Sequence, residues 1–137
     1  MKTNVLVIVV DALRADRVGA FGGRKLTPNI DRLATESAIF TNAYSTTNAT
    51  DVAVTSIQTG RYPLSHGVVN HGSHVTDQEK NTIEQVTRLP EAMSESGYQT
   101  AAFGRPLGRW HRRGFDKYPS STKSTKQKIV SLLNRIH

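Results

Sequence analysis

A layered α/β fold is expected from three features of the 137-residue chain. Residues Asn4 to Val10 form a continuous, β-branched apolar run that ends at a carboxylate, Asp11. Apolarity without alternation is the pattern of a strand buried on both faces, as in a parallel sheet. Strand-like and helix-like segments then alternate along the chain. Finally, Thr27-Pro28, Gly60, Leu89-Pro90 and Gly97 mark helix starts and stops. A mostly parallel central sheet follows, with Asp11 at a strand's carboxyl end, where open α/β sheets place ligands.

The elements come in this order. Residues 14–26 are polar and glycine-rich, so a loop is expected, with Gly19, Gly22 and Gly23 as turn points. Thr27 caps a helix that Pro28 opens, and Ile30, Leu33 and Ala34 give residues 28–37 one apolar face. Ala38 to Tyr44 reads as a short strand, and residues 45–51 as a polar loop. Val52 to Thr59 reads as a helix stopped by Gly60, although its β-branched residues also allow a strand. Residues 61–81 are loop-like. A helix from Leu89 through Ser96 precedes a strand over Tyr98 to Phe103. Residues 104–122 are expected to be irregular. Ile129, Leu132, Leu133 and Ile136 give residues 126–136 the spacing of a terminal amphipathic helix. The organisation is thus an α/β segment over 1–118 and a basic Ser/Lys-rich tail over 119–137.

Composition narrows the functional classes. There is no cysteine, so disulfides, thiolate metal sites and a cysteine nucleophile are excluded. The longest early apolar run is six residues, too short for a membrane span or a signal-peptide core. A soluble, cytoplasmic protein without membrane association is the expectation. The net charge of +7 is uneven: residues 1–104 hold nine basic and ten acidic side chains, and residues 105–137 hold nine basic and one acidic. The tail residues Lys123, Lys126, Lys128 and Arg135 lack interleaved aromatics, so a solvated face is expected rather than nucleic-acid binding. His66, His71, His74 and Asp77 do not have the spacing of a common tetrahedral zinc motif.

Four segments, in order, resemble the N-terminal part of the sulfatases, within the alkaline phosphatase superfamily. The first runs from Asn4 through Asp11 and Arg14 to Arg17. The second is Thr27-Pro28-Asn29-Ile30-Asp31-Arg32-Leu33-Ala34, followed by Phe40, Asn42 and Tyr44. The third is Thr59-Gly60-Arg61-Tyr62-Pro63 with His66-Gly67-Val68. The fourth is Gly97-Tyr98 with Thr100-Ala101, then Gly108-Arg109-Trp110-His111 and Gly114-Phe115-Asp116. This resemblance implies an alkaline-phosphatase-like layered domain, incomplete relative to the family. It also implies metal-dependent hydrolysis of a sulfate or phosphate ester.

What the resemblance assigns to each residue follows from that chemistry. A divalent ion (Ca, Mg, Mn or Zn) lowers a nucleophile's pKa and offsets charge on the ester oxygens. Asp11 matches the family's first carboxylate ligand, and its alternative role is to cap the next turn. The family's second acidic residue is Ala12 here, and Asp16 reads as structural. The motif that carries the family's formylglycine falls on Thr50-Asp51-Val52-Ala53-Val54. Thr50 thus stands at the nucleophile position, where it would also bind the metal. Val52 and Val54 replace the Pro and Arg that direct the modification, so no formylglycine is expected. A Thr hydroxyl can attack directly, and Thr50 can equally N-cap the helix after it.

For the ester's anionic group, the family's Lys-x-His pattern maps onto Arg109 and His111 in preference to Arg105. The loop Arg105 to Arg113 is expected to face the ester. The family's remaining metal ligands lie in a later part of its chain that nothing here resembles. The resemblance therefore implies a segment weak or inactive alone, completed by a second chain or a downstream segment. The alternative is a non-catalytic remnant, an anion- or metal-binding module of the same fold.

Overall fold

A computed structural model describes residues 3–23, 26–104 and 109–118. The chain divides into two compact units, residues 1–44 and 45–137. The expected helix over 126–136 lies outside the described residues. No helix among the described residues is long and apolar enough to cross a membrane.

The first unit contains one α-helix, α1 (Pro28–Thr35), and two 3-10 turns, Ala15–Arg17 and Gly19–Phe21. Pro28 opens α1 as expected, since its missing N–H is one of the helix's unpaired donors anyway. Thr27 sits at the N-cap but makes no side-chain capping bond. Its hydroxyl instead accepts from Gly19 N–H at 3.0 Å and donates to Asp31 Oδ1 at 2.9 Å. Asp31 Oδ1 also accepts from Ala20 N–H at 2.9 Å. The first turn of α1 thereby holds the preceding 3-10 turn. Val18 is the only buried residue of this unit among those described.

The second unit carries α2 (Thr50–Thr59), α3 (Pro63–His66), α4 (Asp77–Glu84) and α5 (Leu89–Glu95), with 3-10 turns at Gly72–His74 and Arg109–Arg112. Its core is Val52, Val68, Val75, Ile83, Val86 and Trp110, with Ala49 packed against it. Helix α2 resolves the helix-or-strand ambiguity of residues 52–59, and Gly60 ends it at φ 65°, donating to the Ser56 carbonyl at 2.8 Å.

Two expectations need correction. Residues 61–81 are not a plain loop: α3, a 3-10 turn and the start of α4 lie there. The start of α4 has a local cause. Thr76 and Glu79 form a reciprocal capping box, a Thr-x-x-Glu signal that the loop reading passed over. The expected strands are also absent as named elements among the described residues. Residues 4–10 and 38–44 carry no ladder. Over 98–103 the sheet reduces to one parallel bridge, Ala101 to Lys117. The reason is physical. A helix satisfies its backbone within itself, whereas a strand needs a neighbouring chain to accept and donate.

Candidate active site

The site is built on the first turn of α2. Ala49 is its N-cap and Thr50 its first residue, so the N-cap role considered for Thr50 belongs to the residue before it. Thr50 is half-buried at the end where the helix dipole favours an anion. Asp51 follows and is turned inward, 7% exposed. Its Oδ2 accepts from Gly72 N–H at 2.8 Å and lies 2.8 Å from His71 Nδ1. The same nitrogen is 3.4 Å from Asp51 N–H. The shorter contact decides the tautomer: Nδ1 carries the proton and donates to the carboxylate.

His111 closes the inner side. It is 1% exposed, with Nε2 at 3.0 Å from Thr55 Oγ1 and 3.2 Å from the Asp51 carbonyl. The Thr55 hydroxyl donates to that carbonyl at 2.6 Å and accepts from Trp110 Nε1–H at 3.0 Å. Its one proton is thus used, so His111 Nε2–H must be the donor to Thr55. Nδ1 of His111 is left with its lone pair, buried and without a hydrogen-bond partner, 4.0 Å from Asp51 Oδ1. Burial holds the His111 pKa below its ordinary value, and the Asp51 charge and carbonyl only partly offset it. The imidazole is neutral at pH 7.

A second buried histidine supports α2 from the other side. His66 accepts from Val68 N–H at 3.2 Å on Nδ1, so its Nε2–H donates to Ser56 Oγ at 3.0 Å. Burial lowers its pKa as well. Gly67 follows at φ 79°, where an added Cβ would meet Thr82 Cγ2 at 2.7 Å. Gly67, just after α3, thus leaves room for the Thr82 side chain of α4.

Glu79 organises the neighbouring loop. Beyond the capping box it accepts from Val69 N–H at 2.8 Å and Asn70 N–H at 2.9 Å. Burial acts to raise its pKa, but these donors, with Thr76 N–H and the Asn70 amide, pull it down to about 2. The segment that carries His71 is thus fixed by a carboxylate eight residues further on.

The other expected site residues are distributed as follows. Asp11 lies in the first unit, exposed, in a turn whose next residue, Ala12, is left-handed at φ 58°. Arg105 lies outside the described residues. Arg109 opens the 3-10 turn that carries Trp110 and His111, and its side chain is not among those described. At the end of the Arg105 to Arg113 stretch the arginines have partners within the protein. Arg113 pairs with Glu84 at 2.7 Å and Glu91 at 2.5 Å, and Arg112 lies over the Tyr118 ring at 5.4 Å. Sequence reasoning missed Asp51, Thr55 and buried Arg88. The last is 1% exposed and donates to the Ile83 carbonyl at 2.9 Å. An Asp inside a Val/Thr-rich helix was the available signal for the first.

The sequence model of the sulfatase family matches residues 3–135. The chain belongs to the sulfatase family. An arylsulfatase of Clostridium perfringens is 36% identical over 106 residues, covering 77% of this chain and 21% of the relative. A delta 4,5-hexuronate-2-O-sulfatase of Bacteroides thetaiotaomicron is 34% identical over 122 residues, covering 83% and 24%. The human N-acetylgalactosamine-6-sulfatase is 27% identical over 132 residues, covering 84% and 24%. This sulfatase-family chain therefore spans 21–24% of the length of these relatives. No solved structure matches it. The family implies an alkaline-phosphatase-like α/β fold and a hydrolase of sulfate esters, and its members generally use a divalent metal ion. Asp11 and Thr50 are hard oxygen donors suited to such an ion. Among the described residues, no group of three or more His, Asp or Glu is gathered to hold one. No chemical step is assigned to a metal.

Proposed function

We propose that this chain contributes the nucleophile-bearing part of a sulfate- or phosphate-ester hydrolase, weak or inactive by itself, whose metal site is completed by a second chain or a downstream segment. The observation that supports the reading is Thr50 at the first position of α2, with a helix N-terminus behind it; its assignment as nucleophile comes from the resemblance of residues 50–54 to the family's motif. In the completed enzyme the Thr50 oxygen attacks sulfur or phosphorus. A new O–S or O–P bond forms as the ester oxygen leaves with its bonding pair and takes a proton. Water then cleaves the Thr50 ester, releasing the inorganic anion and restoring the hydroxyl. Asp51, Thr55 and Trp110 set the position of the first turn and of His111. Arg109 and His111 are assigned to the anionic oxygens, and Asp11 to the metal. Thr50 needs no formylglycine.

Turnover of an aryl sulfate and an aryl phosphate by the completed enzyme, with and without Thr50→Ala, tests this. Loss of about 10²-fold or more is expected for a nucleophile. Equal turnover in the variant removes Thr50 from the mechanism.

A second reading, an anion- or metal-binding module without turnover, is favoured by Val52 and Val54 at the positions of the family's Pro and Arg. Calorimetry with Ca²⁺, Mg²⁺, Mn²⁺ and Zn²⁺ separates the two. Binding that depends on Asp11 without any turnover in the completed protein selects the module.

A further inference from the structure

His71 is an exposed side chain held by buried ones. Its side chain is 56% exposed, whereas that of Asp51, which receives its Nδ1–H at 2.8 Å, is 10% exposed. The residues on either side are pinned by carboxylates. Asn70 N–H donates to Glu79 Oε1 at 2.9 Å, and Gly72 N–H donates to Asp51 Oδ2 at 2.8 Å. The imidazole is thus fixed through its backbone and through Nδ1. With the proton on Nδ1, the lone pair lies on Nε2, across the ring from Asp51. The ring also sits against the start of α2, since Nδ1 is 3.4 Å from Asp51 N–H, the amide that joins Asp51 to Thr50. A hydroxyl, an imidazole with a free lone pair and a carboxylate behind it are the parts of a base-activated hydroxyl nucleophile.

We propose that His71 is the general base for Thr50, with Asp51 as the residue that positions it. This deepens the hydrolase reading above, and rests on it for Thr50 as the nucleophile. As Thr50 Oγ1 attacks sulfur or phosphorus, its proton passes to Nε2 of His71. The imidazolium keeps its Nδ1–H on Asp51, whose negative charge stabilises it. The proton then leaves on the departing ester oxygen, and His71 returns to its starting form. The two buried histidines cannot serve. His66 has Nδ1 occupied by Val68 N–H and Nε2–H donated to Ser56. His111 donates Nε2–H to Thr55, and its lone pair on Nδ1 is enclosed. His74 is exposed in the following turn, and no carboxylate among the described residues holds its ring.

The test follows modification of Thr50 in the full chain by phenylmethanesulfonyl fluoride, with the adduct located by peptide mass mapping. An O–S bond forms, fluoride leaves, and the base takes the hydroxyl proton, so this half-reaction needs only the nucleophile and its base. Labelling of Thr50 is expected, slowed at least ~10²-fold in both His71→Ala and His71→Asn. The Asn amide keeps a donor for Asp51 but accepts no proton, which separates the base from the anchor. Free imidazole should restore labelling in His71→Ala in proportion to its concentration. His74→Ala should leave the rate unchanged. Fluorescence of buried Trp110 checks that the second unit keeps its fold in every variant. Labelling at full rate in His71→Asn overturns the proposal and leaves Thr50 as the nucleophile. A loss in His71→Ala that imidazole does not restore also overturns it, by making His71 a structural anchor for Asp51. No adduct on Thr50 in the unaltered chain removes the base and the nucleophile together.

Discussion

The two units of this chain treat the same kinds of residue in opposite ways. In residues 45–118 the apolar side chains close on one another, and even charged groups are taken inside: Asp51, Glu79 and Arg88 are each 7% exposed or less. Each is met by backbone groups or neighbours. In residues 3–44 the most apolar segment of the chain stands in the open, and Val18 alone is buried among the described residues. The difference is not one of hydrophobicity, since Val5 to Val10 is the richer run. It lies in how the backbone is satisfied. Helices α2, α4 and α5 close their own hydrogen bonds and need only one apolar face covered. A strand needs partners first, and burial follows.

Substitutions in the two units should separate them sharply. Ile83 is 0% exposed in the core and Ile8 is 73% exposed. Ile83→Ala is expected to cost about 2–5 kcal/mol, and Ile8→Ala less than about 0.5 kcal/mol. Urea unfolding followed by far-ultraviolet circular dichroism, which reports the backbone of both units, reads both. Comparable losses would show that the first unit has a core of its own.

Glu79→Gln comes next, at about 1–3 kcal/mol, because five donors lose their charged acceptor. Its folded pKa of about 2 lies below the ordinary 4.5, so its stabilisation is present above pH 4.5 and lost as pH falls toward 2. His66 and His111 act in the same direction at higher pH. Their folded pKa values lie below 6.5, so the unfolded chain binds more protons and stability falls as pH drops below 6.5. Unfolding midpoints from pH 8 to pH 3 should decline in two stages for the second unit. In Glu79→Gln the more acid stage should shrink while the histidine stage remains.

A glycine pair tests packing at constant backbone geometry. Gly67 at φ 79° has Thr82 against the added Cβ, whereas Gly22 at φ 82° faces open space. Both alanine variants incur the left-handed strain of about 1–2 kcal/mol. Gly67→Ala alone adds a clash, so it should lower the melting temperature further. The smallest effect is expected at the exposed pair Arg14–Asp16, 2.7 Å apart with side chains 74% and 55% exposed. Asp16→Asn should leave the unfolding midpoint unchanged, because exposed pairs are screened and costly to order. A measurable drop would place Asp16 in a folded arrangement of the first unit.

Legibility followed the range of the interaction. Helices α1, α2 and α5 were readable because Pro28, Gly60 and Pro90 act on the backbone within a turn of themselves. The same logic makes α4 readable from Thr76 and Glu79, although the histidine-rich stretch before it reads as loop. The family was readable because its motifs are local words in a fixed order. The surroundings of the site were not. His71 lies 20 residues from Asp51, and His111 lies 60 residues from it, and no periodicity reports such pairs.

By itself, then, the sequence determined that Pro28 and Leu89-Pro90 open helices, that Gly60 ends one, and which family the chain belongs to. These depend on residue identity and short spacing alone. Tertiary structure decided that Asp51 turns inward, that His111 is buried with its Nε2–H committed to Thr55, and that Arg113 is spent on Glu84 and Glu91. It also decided that Val5 to Val10 remains uncovered. Each of these depends on which distant group arrives to satisfy a donor, a charge or a strand edge, and no local pattern encodes that arrival.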